Sequence, residues 1–245
     1  MAVDVFAFAV LSNHAHFVFR TRPDLVKQWS DEEAAERWLA ITPGAVTPPV
    51  KDAKPTKQQI QALTSSPEKI SWIRKELSSV SCLMKKLCQQ IAVRCNQEDG
   101  CTGRVFQDRF EARVLDSDEA VLACVAYVDL NPLRAKMVDN LQDHSDCSVA
   151  MRMRTLAGES PDPSKWLQPI ERAAATVVVN QLSEEQRREA RARTLSDLGG
   201  VSISLEDYVS FLHQLTLRSR PELQDSLANE AKWLRTQPRA GNHRV

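Results

Sequence analysis

The first twenty residues carry the alternating pattern of side chains that is typical of β-strands. One strand is predicted from about Val3 to Leu11, Ser12-Asn13 turn the chain, and a second strand runs from His14 to Arg20. A lone hairpin is only marginally stable in water, so we expect further strands later in the chain or from a partner.

Beyond the hairpin, apolar residues recur at the spacings of three and four that helices require. Ser30–Glu33 has the sequence of a capping box and predicts a short helix through about Ala40. Several prolines predict an irregular insertion at 42–66. A single long amphipathic helix is then expected from Pro67 to near Asn96.

The middle of the chain predicts a strand followed by a helix. Residues 104–115 alternate in part, and we expect them to form a third strand. Asp116–Glu119 signals a helix start whose acidic residues suit the helix dipole. This helix should reach about Leu130 and end at Asn131-Pro132, because proline disfavours helical backbone in the residue before it.

The pattern of apolar and charged residues changes past residue 150. Residues 158–163 predict a linker, and 204–234 shows further helical spacing. The arginines at 187–193 either bind DNA or form a charged helix face, and the end at 236–245 is expected to be disordered. The predicted organisation is a domain at 1–150, followed by a linker and charged helical extension at 151–245.

Composition and charge narrow the function classes only a little. The chain of 245 residues suffices for one large domain, or for one domain with an extension. Lys+Arg and Asp+Glu are equal at 32 each, so only a local patch could indicate a polyanionic partner. The longest apolar run, Val5–Leu11, is too short to span a bilayer, and we find no secretory signal.

Six cysteines are spread over the chain without any Cys-x-x-Cys pair, which argues against zinc fingers and thioredoxin-like chemistry. Several fall in apolar helical patterns, where cysteine behaves as a small hydrophobic residue. We expect reduced core cysteines in a cytoplasmic protein.

The candidate chemistry begins with two histidines in the second strand. Because strand side chains alternate, His14 and His16 should lie on one face, about 7 Å apart along the strand. Two neutral imidazoles at this distance can converge on one divalent cation. The alternative is a solvated face with satisfied hydrogen bonds, and two ligands alone are too few for structural zinc.

A tyrosine on the later helix offers a reactive group. Tyr127 falls at the edge of the apolar stripe of that helix or outside it, and Asn131 shares its face one turn on. Together they can supply a nucleophile and a metal ligand. The alternative is a tyrosine that packs its ring on the sheet and bonds its hydroxyl to water.

Three blocks, in order across about 2–138, resemble the single-tyrosine HUH transposases. Asn13-His14-Ala15-His16 resembles their His-hydrophobe-His motif, although Ala15 is small for the middle position. Gly103–Phe110 resembles the strand before their tyrosine helix. Tyr127–Ala135 is similar to the Tyr-x-x-x-Asn-Pro-x-Arg-Ala block of the REP-associated tyrosine transposases, and it is the most specific of the three.

The resemblance implies an α+β fold: a ferredoxin-like antiparallel sheet with helices on one face and the tyrosine helix near its open face. His14, His16 and Asn131 would bind Mg²⁺ or Mn²⁺ rather than zinc. Two imidazoles with an amide oxygen and waters also suit these ions, which can hold phosphate oxygens in an open coordination shell. Candidate contacts to the DNA backbone are Arg104, Arg109, Arg113 and Arg134, and ordinary salt bridges are the alternative for each.

The implied reaction is cleavage and rejoining of single-stranded DNA, in hairpins or element ends, by a monomer or homodimer. Tyr127 would form a 5′-phosphotyrosine and release a 3′-hydroxyl. Two rivals remain: a degenerate module that binds DNA hairpins without cutting, and a metal-dependent hydrolase that uses the histidines but not Tyr127.

The chain departs from the family pattern at its start. The resemblance predicts a strand and a helix before the hairpin, whereas this sequence begins at the hairpin. A misplaced start codon and a truncated mobile element are the two explanations. In either case we expect an exposed sheet edge and exposed apolar surface.

Overall fold

The predicted hairpin forms the sheet of this protein. In the computed structural model, which describes residues 1–42, 55–159, 166–168, 170 and 203–236, strand β1 covers Val3–Val10 and strand β2 covers Ala15–Thr21. They pair as a two-stranded antiparallel sheet. The predicted strand ends are correct to within one residue.

Helices make up most of the remaining described structure. Their bounds are α1 Pro23–Gln28, α2 Asp31–Ala40, α3 Lys57–Thr64, α4 Pro67–Leu77, α5 Val80–Glu98, α6 Asp118–Arg134, α7 Ser148–Leu156, α8 Leu205–Ser219 and α9 Gln224–Thr236. The α+β class is therefore confirmed, whereas the ferredoxin-like arrangement and its missing elements stay predictions. None of these described helices is long and apolar enough to cross a membrane.

The predicted third strand at 104–115 is wrong. These residues are irregular, and all but Leu115 are exposed, with Val114 at 95% exposure. An alternating pattern is not sufficient for a strand, because the backbone N–H and C=O groups of a strand need a neighbouring strand as partner.

The capping box that opens α2 is confirmed. The Ser30 hydroxyl accepts a hydrogen bond from the Glu33 amide at 3.1 Å, and the Glu33 carboxylate accepts one from the Ser30 amide at 2.9 Å. A second capping box, formed by Thr56 and Gln59, opens α3 inside the insertion that the prolines predicted to be irregular. That prediction is wrong for 57–64, and residues 43–54 lie outside the described part.

The single long helix predicted from Pro67 to near Asn96 is two helices. α4 ends at Leu77, and α5 begins after Ser79, whose hydroxyl accepts a hydrogen bond from the Cys82 amide at 3.3 Å. Serine favours this N-cap role because its oxygen satisfies an amide that the first turn leaves free. The apolar spacing continues across the break between α4 and α5, so the sequence pattern does not indicate it.

The predicted end of α6 before Pro132 is also wrong, since the helix continues through Pro132 to Arg134. Leu130 and Leu133 are buried on either side of the proline, and their packing outweighs its local preference. The helix then closes in a Schellman motif, in which the Lys136 amide donates to the Leu133 carbonyl at 3.0 Å. Lys136 adopts a left-handed φ of 55° there.

The outer edge of β1 is occupied by other parts of the chain, whereas the expectation of a sheet edge exposed by a missing strand stays a prediction. Backbone segments 146–148 and 167–168 form isolated bridges or hydrogen bonds along it. The hydrogen bonds run from the Val10 amide to the Asp146 carbonyl (2.9 Å), from the Gln168 amide to the Val5 carbonyl (2.8 Å), from the Phe8 amide to the Ser148 hydroxyl (3.1 Å) and from Arg152 Nη2 to the Phe6 carbonyl (2.6 Å). Later parts of the chain therefore satisfy this edge.

The chain divides into two compact units, each with its own hydrophobic core. The first comprises 1–3 and 20–113, and the second comprises 4–19 and 114–245. The core of the second unit takes buried residues from β1, α6, α7, α8 and α9. The division into 1–150 and 151–245 stays a prediction, although helices from both ranges share this core.

All six cysteines carry free thiols. Cys82 and Cys147 are buried, whereas Cys101 is exposed, so the expectation of core positions is correct only for some of them. The 187–193 arginines, residues 160–163 of the predicted linker and the end at 237–245 lie outside the described residues. The helical spacing at 204–234 corresponds to α8 and α9.

Candidate functional site

The hairpin of the second unit places two imidazoles side by side. His14 lies immediately before β2 and His16 is the second residue of that strand. Their ring centroids are 4.9 Å apart with the planes at 86°, an edge-to-face contact. The period-two spacing predicted this adjacency, whereas the metal that the pair would hold stays a prediction.

A hydrogen bond orients the His14 ring, and partial burial favours the uncharged form of His16. Asn13 Oδ1 lies 2.6 Å from His14 Nδ1. An amide oxygen only accepts, so His14 donates from Nδ1, and in the neutral tautomer with this proton Nε2 is the nitrogen that can bind a ligand. Partial burial, and to a smaller degree the neighbouring His14, lower the pKa of His16 below its usual 6.5. A neutral imidazole is the form that binds metal.

Helix α6 brings Tyr127 against this pair. The Tyr127 ring centroid is 5.6 Å from that of His16, with the planes at 77°. The Arg134 guanidinium carbon lies 5.3 Å from the centroid of the same ring. Tyr127 is 47% exposed, and its hydroxyl makes no hydrogen bond with a described residue. The phenol is therefore accessible from solvent and has an imidazole and a guanidinium beside it.

Asn131 is tied to the same turn of α6. Its Nδ2 donates a hydrogen bond of 2.9 Å to the Tyr127 carbonyl, and the residue is 9% exposed. This bond fixes the carboxamide by its nitrogen, while no described residue donates to its oxygen. Oxygen is the atom that a hard cation binds, so the arrangement is compatible with the predicted role of Asn131.

The other three predicted DNA contacts lie in the first unit, whereas His14, His16 and Tyr127 lie in the second. Arg104, Arg109 and Arg113 are exposed in the irregular segment of the first unit. None of them makes an ion pair with a described residue. Two exposed aromatic residues, Phe106 and Phe110, lie among them. Of the four predicted arginine contacts, only Arg134 touches Tyr127.

A buried carboxylate behind the tyrosine was missed by the sequence interpretation. Asp129 is 1% exposed, and its oxygens accept hydrogen bonds from four groups. The donors are the Ser148 hydroxyl, the Val149 amide at 3.1 Å, the Cys147 thiol at 3.4 Å and the Tyr208 hydroxyl at 2.8 Å. The one signal in the sequence is a charged residue within the most apolar stretch of α6.

Arg152 completes this buried cluster. Its Nη1 lies 3.9 Å from Asp129 Oδ2, and its Nη2 donates to the Gln168 carbonyl at 2.8 Å. Its Nε and Nη1 have no hydrogen-bond partner among the described residues. Burial raises the pKa of Asp129 against the lowering effect of Arg152 and the hydrogen bonds, and it lowers the pKa of Arg152. Burial and then Asp129 hold the pKa of Tyr208 well above its usual value, so its hydroxyl stays a donor.

Comparisons with known proteins give no relative from which the role of this site could be interpreted. No family model matches the chain, and no curated protein or solved structure is found to be similar to it. Within the part of the chain that the structure describes, no group of three or more His, Cys, Asp or Glu side chains is arranged to hold a metal ion. The predicted ligand set is of another kind, two imidazoles and a carboxamide.

Proposed function

We propose that this protein is a metal-dependent transposase or endonuclease that cleaves and rejoins single-stranded DNA through Tyr127. The observation that carries the proposal is the contact between an exposed tyrosine ring and the second imidazole of a His-x-His pair, 5.6 Å between centroids. The resemblance of the His14-Ala15-His16 block and of the Tyr127–Ala135 block to single-tyrosine HUH transposases is the second support. The third block, Gly103–Phe110, gives no support, because it does not form the strand that the resemblance implies.

The donor set fits a divalent cation in its chemistry. The His14 ring is oriented by its Nδ1 contact with Asn13, the lowered pKa of His16 favours the neutral ring, and the Asn131 oxygen has no competing donor among the described residues. Mg²⁺ or Mn²⁺, when bound, would polarise the scissile phosphodiester and offset the charge that develops on it.

Tyr127 is the nucleophile in this proposal. Its phenolic oxygen forms a bond to phosphorus in line with the bond from phosphorus to O3′, which breaks. The phenolic proton passes to solvent, and the departing O3′ takes one up as a 3′-hydroxyl. The 5′-phosphotyrosine retains the ester energy, so a second 3′-hydroxyl can reverse the step and join new DNA without ATP.

Arg134 and Asn131 act on the nucleophile and its surroundings. The Arg134 guanidinium at the Tyr127 ring supplies a positive charge where a DNA phosphate must approach. Asn131 holds the backbone of the tyrosine turn through its bond to the Tyr127 carbonyl. Asn131 therefore holds the turn of the helix that carries Tyr127, and Arg134 attracts a DNA phosphate towards the phenol.

A covalent adduct tests the proposal. The protein is incubated with Mn²⁺ or Mg²⁺ and single-stranded hairpins from DNA flanking its gene, each labelled at the 3′ or the 5′ end, and run on a denaturing gel. We expect the 3′ label to become protein-linked and the 5′ label to appear in a shorter free strand. EDTA, Tyr127→Phe and His16→Ala should each abolish both products, while His144→Gln, at an imidazole outside the cluster, should not.

Each rival predicts a different result in the same experiment. A module that binds hairpins without cutting would retard the labelled DNA on a native gel and give no adduct. A metal-dependent hydrolase would give cleavage without a protein-linked label, and Tyr127→Phe would leave it intact. Either result from folded protein would overturn the assignment of Tyr127 as nucleophile.

A further inference from the structure

Asp129 and Tyr127 occupy the same turn of α6 but face in opposite directions. Residues two apart in a helix are about 200° apart around its axis. Tyr127 is accordingly 47% exposed beside His16, while Asp129 is 1% exposed and points into the core of the second unit. Any group that holds Asp129 therefore also fixes the rotation of the turn that presents Tyr127.

The Asp129 carboxylate caps a second helix. The residue at the N-cap position of α7, Cys147, makes no side-chain cap hydrogen bond. Asp129 Oδ1 takes that place by accepting from the Val149 amide at 3.1 Å and from the Ser148 hydroxyl. A carboxylate at a helix N-terminus is favoured by the free amides and the helix dipole. The start of α7 is thereby fixed to the middle of α6.

The same cluster holds the strand that pairs with the histidine strand. The Ser148 hydroxyl oxygen accepts from the Phe8 amide at 3.1 Å, and Arg152 Nη2 donates to the Phe6 carbonyl at 2.6 Å. Phe6 and Phe8 belong to β1, which pairs with β2 and hence with His16. A continuous chain of hydrogen bonds thus runs from the tyrosine helix through Asp129 and Ser148 to the sheet.

We propose that Asp129, acting through Ser148 and β1, is the positioning residue that holds Tyr127 at its distance from His16. The effect of Asp129 on catalysis rests on the proposed function, whereas its effect on the distance between Tyr127 and His16 does not. Asp129 contacts neither the imidazoles nor the phenol, so it acts only through the elements that it joins. Tyr208 of α8 donates to the second carboxylate oxygen at 2.8 Å, so α8 is connected to the same hydrogen-bond network.

The first test measures the position of the Tyr127 ring relative to His16 and requires no enzymatic activity. The ring current of Tyr127 displaces the NMR signals of the His16 ring protons, and Tyr127→Leu gives their position without the ring. At a pH where imidazoles are neutral, Asp129→Asn and Ser148→Ala should move these signals towards the Tyr127→Leu position. Leu234→Ala, which removes a buried side chain of the same core but none of these hydrogen bonds, should not.

Unchanged His16 signals in folded Ser148→Ala would overturn the proposal, and so would an equal displacement in Leu234→Ala. If Asp129→Asn fails to fold, Ser148→Ala decides alone, because it retains the carboxylate and its bond to the Val149 amide while breaking the connection to Phe8.

The second test measures the rate of the proposed reaction. The single-turnover rate of adduct formation should fall on the order of 10- to 100-fold in Asp129→Asn, the effect of a displacement near 1 Å, with hairpin affinity unchanged. Leu234→Ala should keep the wild-type rate at temperatures where it is folded. A wild-type protein that forms no adduct would refute the proposed function and leave the NMR comparison to decide the positioning role. A wild-type rate in Asp129→Asn would refute the positioning role alone.

Discussion

Replacing Tyr208 by phenylalanine removes one oxygen from the buried network and leaves the ring in place. Tyr208 is 0% exposed, and its hydroxyl donates to Asp129 Oδ2 at 2.8 Å. Because the carboxylate cannot turn to water after the loss, we expect the second unit to lose about 1.5–3 kcal/mol of unfolding free energy, the range for a hydrogen bond to a charged group.

Native-state hydrogen exchange of α6 and α7 is the suitable assay, because it reports the second unit separately from the first. The expected loss corresponds to roughly 10- to 150-fold faster exchange of the slowest amides, at about 1.4 kcal/mol for each factor of ten.

A matched control lies on the same helix. Thr216 is also buried, but its hydroxyl donates to the Leu212 carbonyl within α8, a group that the helix itself can satisfy. Thr216→Val therefore leaves no buried charge without its donor and should cost less unfolding free energy than Tyr208→Phe. If Tyr208→Phe and Thr216→Val exchange at the same rate, the Tyr208 hydroxyl does not stabilise Asp129, and the reasoning fails.

Two further predictions concern single residues. In an NMR titration His16 should have its midpoint below 6.5, because partial burial disfavours the charged ring, and His14→Gln should raise that midpoint in part. In the window between that midpoint and 6.5 the unfolded chain binds the proton and folded His16 does not, so stability should fall as the pH is lowered through it; a wild-type midpoint at or above 6.5 would contradict this. Lys136→Gly should stabilise the protein by about 1 kcal/mol in thermal or urea unfolding, since φ of 55° strains every residue with a Cβ; Lys136→Ala should give no such gain, and equal gains would show that the side chain, not the backbone, is responsible.

Local signals predicted those parts of the fold that local physics decides. The hairpin at Val3–Thr21 follows from alternation, and α2 follows from a capping box whose two hydrogen bonds both form. The adjacency of His14 and His16 needs nothing beyond the period of a strand. In each case the interacting atoms lie within a few residues of each other.

Local sequence signals gave wrong predictions where the structure depends on residues far apart in the chain. The alternation at 104–115 predicts a strand, but no neighbouring strand pairs with it in the described structure. Pro132 predicts a helix end, but the burial of Leu130 and Leu133 carries α6 past it. The outer edge of β1 is occupied by backbone around 146–148 and 167–168, and no local pattern in these segments predicts that position.

Local patterns of side chains are sufficient to predict a hairpin with paired imidazoles, a set of amphipathic helices and a tyrosine at the edge of one of them. Long-range packing brings Tyr127 against His16 and buries Asp129 of the same helix beside Ser148 and Tyr208, and no local pattern predicts either contact. The reason is that side-chain periodicity fixes which face a residue occupies, whereas packing between residues far apart in the chain fixes what that face meets.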